Sequence, residues 1–141
     1  FLNQFPDATF AMLSKLRDKP NSIERMDLIG SVKGRHVILL DDMVDTGGTL
    51  IKAAEVLRDN GAAQVTALIT HGVLSGEGIN RIIGSSHITQ LVITDSIVHD
   101  LTEANSRVGY DKIKQVSCTQ AIAKAIEAIV HSYSLDTHIE K

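Results

Sequence analysis

Apolar residues fall along this chain in two rhythms. Val37–Leu40 is an unbroken apolar run, as expected of a strand buried in a parallel sheet. From Thr49 the rhythm changes. Leu50, Ala53, Ala54 and Leu57 recur at i, i+3, i+4 and i+7, which predicts an amphipathic helix. Asn60-Gly61 ends it, because glycine enters the left-handed conformation at little cost. Val65–Thr70, Leu91–Thr94 and Lys112–Ser117 are further strand candidates, and residues 8–14 could form a short one. Gly78–Ile83 reads as a short helix after a Ser-Gly-Glu-Gly turn. Thr119–Tyr133 reads as a longer helix, with Ile122, Ala125, Ile126 and Ile129 on one face, most simply for core or subunit packing.

Strands alternating with helices predict an α/β fold, a mainly parallel sheet flanked by helices. In such sheets ligands sit beyond the C-terminal strand ends. Three strands end in polar clusters: Asp41-Asp42, Thr70-His71-Gly72 and Thr94-Asp95-Ser96. Turn chemistry explains the third cluster as well as function does, and competes for the second. The first is different, because two acids abut a strand and precede Asp45-Thr46-Gly47-Gly48-Thr49. Paired carboxylates repel unless a cation or hydrogen-bond donors offset them. The turn offers backbone N–H groups and two hydroxyls ahead of a helix start, which suits a phosphate. Its adjacent glycines and lack of lysine exclude a Walker loop. A phosphorylated polyhydroxy ligand fits, with the acids on sugar hydroxyls directly or through a divalent cation.

Composition narrows the partners. Hydrophobic residues make up 43% of the 141, enough for one domain with a core. A net charge of −3 and few aromatics do not suggest nucleic-acid binding. No apolar stretch approaches the roughly 20 residues of a membrane span. The single cysteine, Cys118, fits a reducing, cytoplasmic setting. The six histidines show no i, i+4 pair, so a structural zinc site is not expected. His71 alone lies at a strand end beside the main motif, as an ordinary hydrogen-bonded residue or a ligand contact. Lys15 and Arg17, two residues apart, point the same way in an extended segment. They could close over phosphate charge or simply be a solvated basic loop; residues 15–22 are polar and expected to be mobile.

These elements resemble ribose-phosphate diphosphokinase, the synthetase of phosphoribosyl diphosphate (PRPP). The similarity runs through Lys15-Leu16-Arg17, Pro20-Asn21, Ile29-Gly30, Lys33-Gly34, Asp41–Thr49, Thr70-His71-Gly72, Ser75-Gly76, Thr94-Asp95-Ser96-Ile97 and the last helix. The resemblance implies a type I phosphoribosyltransferase-like domain, the ribose-5-phosphate-binding C-terminal half of a two-domain enzyme, over residues 1–141. It implies transfer of the diphosphoryl group of ATP to the anomeric hydroxyl, with Mg²⁺, in a homo-oligomer that is commonly hexameric in the family. Asp41 would meet the ribose hydroxyls with Asp42 adjacent, and Asp45, Thr46, Gly47, Gly48 and Thr49 would cradle the 5-phosphate. Lys15 and Arg17 would be catalytic, with Arg17 also in the substrate-binding set; no protein residue is assigned to a metal.

Two departures stand out. Ser96-Ile97-Val98 replaces the family's usual Thr-Ile-Pro, so that loop is expected to differ. The N-terminal domain, which carries most of the ATP site, has no counterpart here, so the chain reads as truncated and inactive alone. The alternatives are a phosphoribosyltransferase acting on a base and a non-catalytic regulatory subunit. Only 36 residues precede the motif, few for the former, and Lys15 and Arg17 would be superfluous in the latter.

Overall fold

The computed structural model describes residues 5–16, 25–132 and 134. Two sheets organise them. β1 (Met12–Leu16) and β2 (Arg25–Ile29) form an antiparallel pair, with Met12 opposite Ile29 and Leu16 opposite Arg25. β3 (His36–Val44), β4 (Gln64–Gly72), β5 (Gln90–Thr94) and β6 (Ile113–Val116) form a parallel sheet in that order. Between its strands lie α1 (Gly48–Asp59), α2 (Gly78–Gly84) and α3 (Thr102–Ser106), and α4 (Thr119–Val130) follows β6.

The order advances one strand at a time in one direction. Crossovers of a single hand therefore place their helices on one face, and burial follows that rule. Leu50, Ala53, Ala54 and Leu57 of α1 are all buried, as their spacing predicts. They join Ile82 and Ile83 of α2, Ala104 of α3 and the inward residues Val65, Ala67, Ile69, Leu91, Ile93 and Ile113. Alternation along β4 is clean, with Val65, Ala67 and Ile69 buried and Thr66 and Leu68 only half-buried.

The opposite face is less covered, which corrects the expectation of a buried strand at Val37–Leu40. β3 lies at the sheet edge, and Ile38 and Leu40 remain 43% and 52% exposed. The face of α4 expected to pack is likewise open, with Ile122, Ile126 and Ile129 exposed and Ala128 its buried residue. Periodicity located α4 but not what covers it.

Other boundaries shift. The first strand occupies 12–16 rather than 8–14, because pairing with β2 sets its register. β3 runs on through the acids to Val44, since the parallel ladder continues to Val44 opposite Gly72. α3, one short turn, was not anticipated; five residues are too few to show a helical period. Residues 17–24 lie outside the described residues, so the expectation for the 15–22 segment is addressed only at 15 and 16, which belong to β1.

One buried cation ties sheet to helix. Lys112, just before β6, donates through Nζ to the carbonyls of Ile83, 3.0 Å away, and Ser85. These lie at the C-terminal end of α2, where a cation is favoured. Burial pushes its ammonium pKa down.

Candidate phosphate-binding strand end

All four strands of the main sheet run parallel, so their C-terminal ends share an edge. Asp41 pairs with Ile69 and Met43 with His71, which puts the first two polar clusters side by side. Asp41 and Asp42 are both exposed, and the Asp42 N–H donates to Asp41 Oδ1 at 3.0 Å. Asp41 and Thr49 together line one end of a cleft of about 1100 Å³ between β3, α1 and the β1–β2 pair. Asp42 is not part of that lining.

The turn that follows is built for close approach. Gly47 has φ +79°, and a Cβ there would lie 3.3 Å from Ile82 Cδ1. Glycine satisfies both demands. Gly47 precedes α1, and its carbonyl accepts the first helical bond, from Ile51 N–H at 2.9 Å. No side chain caps α1. The N–H groups of Gly48, Thr49 and Leu50 thus stand at the positive end of a twelve-residue helix. Thr46, Gly48 and Thr49 are exposed, so two hydroxyls flank these donors.

Asp45 has a different role from its neighbours. Its carboxylate accepts the hydroxyl of Ser75, in the loop between β4 and α2. A carboxylate offers no donor to a phosphate, and this bond ties the turn to the β4–α2 loop. That partnership was invisible in sequence, where Ser75 entered only as part of a family pattern.

The second and third strand ends are stitched together. His71 Nδ1 and Ser96 Oγ are 3.0 Å apart, and Thr94 Oγ1 donates to the Thr70 carbonyl at 2.7 Å. His99 Nε2 lies 2.6 Å from the Gly72 carbonyl. Gln115 Nε2 donates to Ile97 O at 2.6 Å and Thr94 O at 3.2 Å, which holds the 94–97 loop. Asp95 accepts from Cys118 N–H at 2.8 Å and Sγ at 3.1 Å. Those bonds, with one from Ser117, hold its carboxyl pKa at about 2. The same hydrogen bond from the thiol, with burial, pushes the Cys118 pKa up. Asp95 therefore ties the end of β5 to Cys118, immediately before α4.

Lys15 lies in β1 opposite Met26. Its side chain, and all of Arg17, fall outside the described residues. Among the described residues no group of three or more His, Cys, Asp or Glu could hold a metal ion. None of the described helices is long and apolar enough to cross a membrane.

The model of the phosphoribosyl synthetase-associated domain matches residues 7–139. The chain belongs to that family. Among curated members of similar sequence, ribose-phosphate pyrophosphokinase 2 of Schizosaccharomyces pombe is 40% identical over 129 residues, 92% of this chain and 39% of the relative. The ribose-phosphate pyrophosphokinase of Bordetella parapertussis is 44% identical over 131 residues, 93% and 41% of the two chains. The crystal structure of phosphoribosylpyrophosphate synthetase from Mycobacterium smegmatis superposes with a TM-score of 0.72 at 28% identity, covering 93% of this chain and 40% of that one. This synthetase-associated domain thus spans about two-fifths of the length of these relatives, and its fold, a parallel sheet with flanking helices, matches that of the Mycobacterium smegmatis synthetase.

Proposed function

We propose that this chain is the ribose-5-phosphate-binding, C-terminal domain of a ribose-phosphate diphosphokinase. In the complete reaction the anomeric hydroxyl of ribose 5-phosphate attacks the β-phosphorus of ATP. Diphosphoryl passes to the sugar, AMP leaves and the hydroxyl proton is lost. The observation that carries the reading is that Asp41 and Thr49, the latter in the first turn of α1, line the same cleft. A carboxylate accepts ribose hydroxyls, while N–H groups at a helix N-terminus bind a phosphate dianion. The relatives' name, ribose-phosphate pyrophosphokinase, supports a ribose phosphate substrate.

Within this domain the roles divide by position. Asp45, Thr46, Gly47, Gly48 and Thr49 cradle the 5-phosphate, with the Asp45 carboxylate itself held by the Ser75 hydroxyl. Asp41 orients the ribose, with Asp42 beside it. Lys15 and Arg17 act on charge that develops as the diphosphoryl group transfers, and Arg17 also binds substrate. Mg²⁺ is the proposed cofactor. It prefers oxygen ligands and commonly takes one or two carboxylates together with substrate phosphates, and the exposed, adjacent Asp41 and Asp42 fit that donor set. When bound it neutralises phosphate charge. The reading includes a cytoplasmic setting and a homo-oligomer, to which the exposed Ile122, Ile126 and Ile129 of α4 would contribute surface.

A PRPP-coupled assay tests the division of labour. The 141-residue polypeptide alone should bind ribose 5-phosphate yet form no PRPP from ATP. Robust ATP-dependent activity, free of contaminating enzyme, would place the nucleotide site within this chain and overturn the assignment.

A further inference from the structure

We infer that the segment from Val73 to Ile82 is a positioning brace for the phosphate turn, with the Ser75 hydroxyl and the absent side chain of Gly78 as its critical parts. The inference rests on the assignment of the phosphate to that turn. Every residue from Val44 to Gly47 is touched by this segment. The N–H groups of Val73 and Leu74 both donate to the Val44 carbonyl, at 2.9 and 3.1 Å. The Ser75 hydroxyl donates to the Asp45 carboxylate. A Cβ at Gly78 would lie 2.8 Å from the Asp45 carbonyl oxygen. Arg81 Nη1 reaches the Thr46 carbonyl at 3.4 Å, and Ile82 packs under Gly47.

The physical need for a brace is plain. Gly47 is left-handed and Gly48 follows it, so the backbone here is intrinsically permissive. A phosphate held by backbone N–H groups binds tightly only if those groups already point at it, because ordering them on binding costs free energy. The Asp45 carboxylate would swing freely and oppose a phosphate dianion unless a donor held it. Ser75 supplies that donor. Gly78 has ordinary φ, so its glycine answers to space and not to backbone strain. Any side chain there must push the Asp45 carbonyl, and with it the start of the turn. The brace is itself anchored at its far end, where Lys112 holds the Ile83 and Ser85 carbonyls. Ser75 and Gly78 touch no reacting atom; they act through the turn.

The test uses the ¹⁵N-labelled chain with ribose 5-phosphate and, separately, inorganic phosphate as probes. Ser75→Ala should weaken ribose 5-phosphate about tenfold or more, the loss of one hydrogen bond to a charged group. Ser75→Thr, which keeps the hydroxyl, should restore most of the affinity. Amide exchange at Gly48 and Thr49 in the unliganded protein should quicken in the alanine variant and not in the threonine one. Gly78→Ala should weaken binding in the same direction, which keeps the test decisive if Ser75→Ala fails to fold. Wild-type affinity and exchange in either alanine variant would overturn the brace. If the wild-type chain binds neither probe, the phosphate assignment fails. The exchange rates then still judge the brace: unchanged rates overturn it, and faster rates keep it as a property of the turn alone.

Discussion

The carboxylate of Asp95, at the end of β5, accepts the backbone N–H of Cys118 at 2.8 Å and so joins the third strand end to the foot of α4. With the Ser117 and Cys118 side chains adding to that bond, its pKa falls to about 2, below the roughly 3.9 of an unfolded aspartate. A depressed folded-state pKa means that the ionised form stabilises the fold. That contribution is complete above about pH 4 and is lost as pH falls through about 2. Asp95→Asn should melt below wild type near neutrality, and the gap should close between those two pH values. Melting curves measured across this range check it; a gap independent of pH would show that the charge is irrelevant.

Gly47 provides a second test. Alanine there must adopt a left-handed φ of +79° and approach Ile82. A left-handed non-glycine residue costs about 1–2 kcal/mol. Gly47→Ala should lose stability of that order in urea unfolding and should also bind ribose 5-phosphate more weakly. Gly34→Ala is the control: φ is +70° but nothing lies within 4 Å, so stability should fall without loss of binding.

How much of this was legible from sequence depended on the range of the forces involved. The spacing of Leu50, Ala53, Ala54 and Leu57 encoded α1 and its buried face, because helical periodicity is local. The Asp45–Thr49 turn was legible for the same reason, its glycines and hydroxyls being contiguous. The exposed faces of β3 and α4 were not, since apolar residues look alike whether covered or open. Ser75 on Asp45 and Asp95 on Cys118 join residues 30 and 23 positions apart. No local pattern announces such bonds. The strand-end placement of Asp95 therefore left function and turn chemistry equally open, and gave no sign of its bond to Cys118.

The roles proposed for Lys15 and Arg17 concern rate more than binding. In an active enzyme containing this chain, Lys15→Ala or Arg17→Ala should lower kcat far more than it raises KM, because both cations are assigned to charge that develops in the transition state. Steady-state kinetics with ribose 5-phosphate and ATP varied in turn checks this. A change confined to KM would make them ground-state binders.

Calorimetric titration of ribose 5-phosphate into the 141-residue chain tests the central claim most directly. The account predicts one site per chain, competition by inorganic phosphate, and weaker binding to Thr49→Ala by about 1.5–3 kcal/mol, as expected for a lost hydrogen bond to a charged group. No heat of binding in wild type, or equal affinity in a folded Thr49→Ala variant, would contradict the assignment of the Gly47–Thr49 helix start as the phosphate site.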